Sequence, residues 1–435
     1  MSRASTQPAL RLRRPQRQQV TPVPLYLDAL LPDDHLARLV WAAVERLDLT
    51  AFTAEIKVVE GGPGRAAADP AVLVALWIYA MSQGEHRARQ IARLCTEHFA
   101  YIWLCGGVSM NDHSLSDFRV AHGPKLDTLI TEVLGRLHHA ALIDFDHVAQ
   151  DGIRVRASAG AASFRRAASL QESLEEAQAV LAAVQAAAEE DGTTGEEATA
   201  TPRQRAAQQR AADERLARVE AALAELPTVQ AAKPAAKKEQ ARVSTTDPEA
   251  HVMKMADGGY RPAYNIQFAA DSAHQVIVGV DVTTTGSDQG QAPGMVQQVR
   301  ERLDALPAQW LIDGGFAAHA AIEQVEAAGP HVLAPVRQPK DGERDRYAPR
   351  PTDSAMIAAW RQRMGTDLAQ DTYRIRAATI ACVNAQARSR FGLQQLRVRG
   401  LAKVRCVAQW IALTHNLLLW ITHGLAGPLA LEQVA

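Results

Sequence analysis

The sequence is poor in cysteine and in aromatics, and it has no long apolar run. Four cysteines occur in 435 residues, Cys95, Cys105, Cys382 and Cys406, and no two form a C-x-x-C pair. Neither a disulfide framework nor a structural zinc site is therefore expected. The most apolar stretches, near 71–81 and 410–420, fall well short of the roughly 18–20 residues that a bilayer span needs. No membrane partner is expected. The N-terminal arginines are not followed by an apolar segment, which argues against a signal peptide and makes a reducing cytoplasm the expected compartment. A G-x-x-x-x-G-K-[ST] loop and a G-x-S-x-G elbow are both missing, which disfavours nucleoside triphosphate hydrolysis and serine hydrolase chemistry. Acids are missing from two stretches. Arg3, Arg11, Arg13, Arg14 and Arg17 precede the first acid, Asp28, and the tract from Arg374 to Arg405 carries Arg374, Arg376, Arg388, Arg390, Arg397, Arg399, Lys403 and Arg405 with none. A net charge of -1 argues against indiscriminate binding, whereas such local runs suit a polyanion.

What is present is an ordinary globular composition, 47% hydrophobic and 22% charged, in a chain long enough for two or three cores. A basic arm, 1–31, precedes a stretch from 32 to 141 that reads as helical. Asp33-Asp34 suits a helix cap, Asp69-Pro70 opens an apolar helix, and Asn111 suits another cap. Between His86 and Tyr101, Ile91, Leu94 and Cys95 share a face near Arg87, Arg89 and Arg93, a basic helix that could enter a DNA groove. Near Leu142 the texture turns to strand, with Asp151-Gly152 read as a turn or kink. Residues 165–242 are rich in Ala, Glu, Gln and Arg. Two helical runs there, 169–190 and 202–226, suggest an inserted hairpin or a partner coiled coil with a weak, Ala-lined seam. Strand and helix then alternate to 423, before a tail at 424–435. This describes an α/β domain with a mixed sheet, formed by 142–164 and 243–423 and split in sequence by the insertion.

Two acids stand out. Asp151 and Asp313 each follow an apolar strand and precede glycine, and two strand-end carboxylates from one sheet can converge on a hard divalent cation such as Mg²⁺. Asp-Gly is equally a turn signal. Asp281 reads as a strand acid facing solvent or supporting such a site. His113 and Asp117 lack a third ligand and read as cap and surface, and His415-Asn416 reads as a satisfied core pair.

The strings QDGIRVRASA (150–159), STTDPEAHVMKMADGGYRPAYNIQFAAD (244–271), IDGGFA (312–317) and RAATIACVNAQARSRFG (376–392), with RVRGLAKVRCVAQWIALTHNLL further on, carry a resemblance over nearly the whole chain. It resembles a bacterial insertion-sequence transposase of the IS1182 group, within the IS4/IS5-like DDE class. The resemblance implies an RNase H-like catalytic domain, an all-helical DNA-binding domain before it, and DNA strand transfer with two Mg²⁺ ions, Mn²⁺ being an alternative. It places the first two acids on Asp151 and Asp313, which would be the metal ligands, and the third, a glutamate, on Ala381. Tyr373, Arg376 and Arg388 match the flanking family residues, although the gap from Arg376 to position 381 is one residue longer than the common form. The implied partners are double-stranded DNA with terminal inverted repeats, target DNA, and a second protomer in a homodimeric synaptic complex. Arg89, Arg93, Arg119, Tyr373, Arg374, Arg376, Arg388, Arg397 and Arg399 are the expected DNA contacts. Alanine offers no oxygen to a cation, so cleavage is expected to be lost or strongly impaired while DNA binding persists. The alternative is a catalytically silent DNA-binding repressor or adaptor.

Overall fold

The computed structural model describes residues 26–59, 61–63, 66–190, 201–339 and 344–423. The N-terminal arginines, the break at 191–200 and the 424–435 tail lie outside the described residues.

The first part is helical: Leu36–Val44, Pro70–Ser82, Ala88–Glu97, Phe99–Cys105, Asp112–Ala121 and Gly123–His139. Asp69 Oδ1 accepts from the Ala71 N–H at 2.8 Å, and Asn111 Oδ1 from the Ser114 N–H at 2.8 Å, so both expected caps form. The first helix is capped by His35, whose Nδ1 accepts from the Ala37 N–H at 3.1 Å, and not by Asp33-Asp34. His35 is the residue immediately before the helix, and the two aspartates precede it in a turn. Pro70–Ser82 is apolar on every side and buried almost throughout, as a helix surrounded by neighbours must be.

Eight strands are described: β1 His147–Arg156, β2 Phe164–Arg165, β3 Val243–Ser244, β4 His251–Lys254, β5 Tyr260–Asp271, β6 Ile277–Thr283, β7 Gln309–Leu311 and β8 His331–Leu333. In the main sheet β5 pairs antiparallel with β1, β4 and β6, while β7 pairs parallel with β1 and β8. The sheet is therefore mixed, as the alternation of elements suggested. β2 and β3 form a small antiparallel pair at the base of the insertion.

The insertion is a helical hairpin. Ala167–Glu190 and Pro202–Ala231 pack together, with Arg215 Nη2 at 3.0 Å from Glu176 Oε2. Its own core is small: Leu170, Ala222 and Leu226 meet Ala241 and Val243, separate from the main core. The C-terminal helix Leu401–Thr422 has the opposite role. It packs against Pro70–Ser82, Asp112–Ala121, Gly123–His139 and β6, so the helical part and the sheet share one core. Asn416 fixes it to the sheet, its Oδ1 accepting from the Ile277 N–H at 2.9 Å and its Nδ2 donating to the Ile277 carbonyl at 2.8 Å. His415 Nε2 lies 2.8 Å from the Gln275 carbonyl, so the pair is satisfied in the core. Among the described residues no helix is long and apolar enough to cross a membrane.

Candidate active site

The site grows from the centre of β1. Alternation along a strand sends Gln150, Gly152 and Arg154 to one face of the sheet and Asp151, Ile153 and Val155 to the other. Asp151-Gly152 is not a turn or kink: β1 runs through both, with Asp151 opposite Phe268 and Gly152 opposite Gln267. The glycine answers a different need. A Cβ at Gly152 would stand 2.3 Å from both Asp288 Oδ1 and Gln267 Nε2. Asp288 is buried there and accepts from Asn265 Nδ2 and Gln267 Nε2, both at 2.7 Å, and from Arg154 Nη2 at 3.4 Å. Nothing in the sequence marked Asp288, because its partners come from strands far from it along the chain.

Asp313 follows β7, the parallel neighbour of β1. Ala149 is level with Leu311, and Asp151 and Asp313 each stand two residues further on. Equal offsets on adjacent parallel strands bring both acids to one face at neighbouring positions. Asp313 Oδ1 also accepts from the Gly315 N–H at 2.7 Å, so this second Asp-Gly does sit where a strand turns away.

A third element closes the face. The helix Asp367–Arg376 runs into a π-helical turn, Ala377–Ala381, and continues as Cys382–Ser389. A π turn absorbs one extra residue without ending the helix. The turn packs on β1 and β5. Arg376 Nη2 lies 3.3 Å from Asp151 Oδ2 and 3.8 Å from Asp313 Oδ2, one guanidinium reaching both acids. Asn384 Nδ2 reaches the same Asp151 oxygen at 3.4 Å. Ala381 sits between two residues of this helix that both touch Asp151, and it is exposed. Sequence reasoning missed Asn384, although its three-residue offset from position 381 places it on the same helix face.

The electrostatics are those of a half-sequestered acid. Burial pushes the Asp151 carboxyl above the usual carboxylate range, and the Arg376 guanidinium pulls it back down. Burial likewise raises the Tyr373 hydroxyl, against the nearby Arg376. Arg376 Nε and Asn384 Oδ1 are buried without a hydrogen-bond partner among the described residues.

The two carboxylates are hard oxygen donors of the kind a divalent cation takes. Among the described residues no three His, Cys, Asp or Glu side chains gather where they could hold a metal ion.

Several expected DNA contacts have other engagements. Arg119 is a correction: it is buried, donates to the His86 carbonyl, and stacks 5.0 Å from the Trp77 ring, so it faces the core and not a groove. Arg376 is turned to the two aspartates. Arg89, Arg93 and Arg374 are exposed but pair with Asp112 at 3.5 Å, Glu97 at 2.8 Å and Asp371 at 2.6 Å. Arg397 is exposed, and Arg399 is exposed with its Nε donating to the Ser158 carbonyl at 3.2 Å. Arg388 is half-buried at the end of the Cys382–Ser389 helix. Asp281 is removed from the site, paired with Arg405 at 3.0 Å, and His113 and Asp117 are exposed.

Family comparison bears on the two ends of the chain. Residues 25–121 match the family described as Transposase domain (DUF772), and residues 339–419 match the Transposase DDE domain. Together these matches fit an insertion-sequence transposase of the IS4/IS5-like, IS1182 type. The DDE match contains Arg376, Ala381 and Asn384, while Asp151 and Asp313 lie between the two transposase matches. No curated protein and no solved structure matches the chain significantly.

Proposed function

We propose that this transposase binds the inverted-repeat ends of an insertion sequence and that Ala381 removes or strongly impairs its strand cleavage. The observation that carries the reading is the meeting of Asp151 and Asp313 on adjacent parallel strands, with one guanidinium from the matched DDE domain reaching both. The sheet supports an RNase H-like core split by the hairpin, because β6, β5 and β1 run antiparallel and then continue into parallel β7 and β8. The helical residues 32–141 would be the DNA-reading domain, with 142–164 and 243–423 as the catalytic one. The partners would be double-stranded repeat ends, target DNA and a second protomer, in the bacterial cytoplasm.

Asp151 and Asp313 would hold a Mg²⁺ or Mn²⁺ ion. Such an ion supplies Lewis-acid polarisation of a phosphodiester oxygen. The chain's own part is positional. The crowded amides around Gly152 fix β1, the hydrogen bond from Asn384 orients the Asp151 carboxylate, and Arg376 balances the charge of the two acids. A methyl at position 381 gives no third oxygen.

Restoring the acid tests this. Ala381→Glu is expected to cleave a repeat-end duplex in the presence of Mg²⁺, and Ala381→Glu combined with Asp151→Asn is expected not to. The exposed alanine also favours a second reading, a silent DNA-binding repressor or adaptor. Unchanged repeat-end binding by Ala381→Glu without cleavage would select that reading and overturn the first.

A further inference from the structure

Three arginines are buried among the described residues: Arg119, Arg302 and Arg361. Two of them face an acid. Arg302 Nη2 pairs with Asp127, and Arg361 Nε lies 2.6 Å from Asp353 Oδ2. Arg119 is the exception. It is only 6% exposed, burial lowers its pKa, and no carboxylate among the described residues holds it up. Glu85, beside His86 in the chain, is taken by Arg87, with Oε1 3.0 Å from Nε and Oε2 2.7 Å from Nη2. The groups that do meet Arg119 are neutral: Nη1 donates to the His86 carbonyl, and the guanidinium stands 5.0 Å from the Trp77 ring. Its Nε has no hydrogen-bond partner among the described residues. An interior charge without a counter-charge is strongly destabilising. This guanidinium therefore calls for a negative partner that the described residues do not supply.

Arg119 lines a small cavity where three parts of the chain meet. Met81, His86 and Arg119 belong to the N-terminal helical part, Phe391 to Val398 follow the Cys382–Ser389 helix, and Val407 and Ile411 belong to Leu401–Thr422. Its wall holds Arg119, Arg397 and His86 but no aspartate or glutamate. Phe391, Leu396 and Val398 make much of the rest apolar and are themselves buried. Attraction between opposite charges is strong in such a poorly polarisable setting. The volume, about 20 Å³, admits one water-sized particle. That size excludes a phosphate or a nucleic-acid backbone, and the sign of the wall excludes a metal cation. A water molecule fits but leaves the charge unbalanced. A single small anion satisfies both the size and the sign.

We propose that this cavity binds one halide ion, chloride in ordinary salt, against Arg119 Nε. The ion neutralises the guanidinium and ties the N-terminal helical part to the segment 391–398. The cavity contains neither Asp151 nor Asp313, so the assignment stands whether or not the chain acts on DNA.

The test compares thermal melts of the full chain in sodium chloride and in sodium gluconate at equal ionic strength, gluconate being too large for the cavity. A ligand that binds only the folded state raises Tm with its concentration. Wild type is expected to melt about 2 °C higher in 0.2 M chloride than in gluconate. Arg119→Met, which keeps the length of the side chain without its charge, is expected to lose that difference. A wild-type Tm that is the same in both salts, or a difference that survives in Arg119→Met, would overturn the assignment. Crystals of the wild-type chain grown in sodium bromide decide the matter without the variant, should Arg119→Met fail to fold. An anomalous bromine peak beside Arg119 Nε is expected, and a map showing only water there would overturn the assignment.

Discussion

Asp151-Gly152 and Asp313-Gly314 are the same dipeptide after similar apolar runs, and the fold uses them in unlike ways. Gly152 lies inside a strand, and a side chain there would strike Asp288 and Gln267. Gly314 lies after a strand, with nothing within 4 Å of where its Cβ would be. Asp151 is the more enclosed of the two, with 25% side-chain exposure against 41% for Asp313. One pair is fixed by packing on both faces of the sheet, and the other by a local turn. The lesson is that a short motif identifies a carboxylate but not what holds it.

Substitution separates the two most sharply at the glycines. Gly152→Ala is expected to destabilise the fold by about 3 kcal/mol, through overpacking against a buried polar cluster. Gly314→Ala is expected to stay within about 0.5 kcal/mol of wild type. Urea unfolding of both reads the difference, and equal effects would break the comparison. Asp288→Ala comes next. It leaves two buried amides and Arg154 short of an acceptor, an expected cost of roughly 1–3 kcal/mol in the same assay.

The third effect depends on pH. Because burial raises the folded-state pKa of Asp151 above its ordinary 3.8, its proton is bound more tightly in the folded state. The stability this gives is present below the ordinary value and is lost as pH rises through the raised one. Asp151→Asn is therefore expected to raise Tm relative to wild type at pH 7 and to lose that advantage near pH 3. Thermal melts at the two values check the sign. Apart from the near-neutral Gly314→Ala, the smallest effect is expected from Asn384→Ala, about 0.5–1.5 kcal/mol for one hydrogen bond to a partly exposed carboxylate, read by the same melts.

Much of the architecture was legible. Strong helical periodicity, caps at Asp69 and Asn111, and the loss of aromatics across the insertion each have a local physical cause. The two aspartates were visible because apolar residues precede them. Their side-by-side placement was not, since it depends on β1 and β7 pairing in parallel across 160 residues of chain. Arg119 misled for a related reason. An arginine in a polar helix reads as exposed, and only the tertiary fold brings Trp77 and the His86 carbonyl to it. The π turn after Arg376 had no local signal in the sequence. Asp288 had no signal at all, being a loop acid whose partners lie on two strands.

Titration with Mn²⁺, followed by calorimetry, asks most directly whether Asp151, Asp313 and position 381 share one cation. Ala381→Glu is expected to bind Mn²⁺ more tightly than wild type, since each added carboxylate strengthens a hard-cation site, and Asp313→Asn in the same chain is expected to abolish the gain. An affinity unchanged by the glutamate, or a gain that survives removal of Asp313, would contradict a common site.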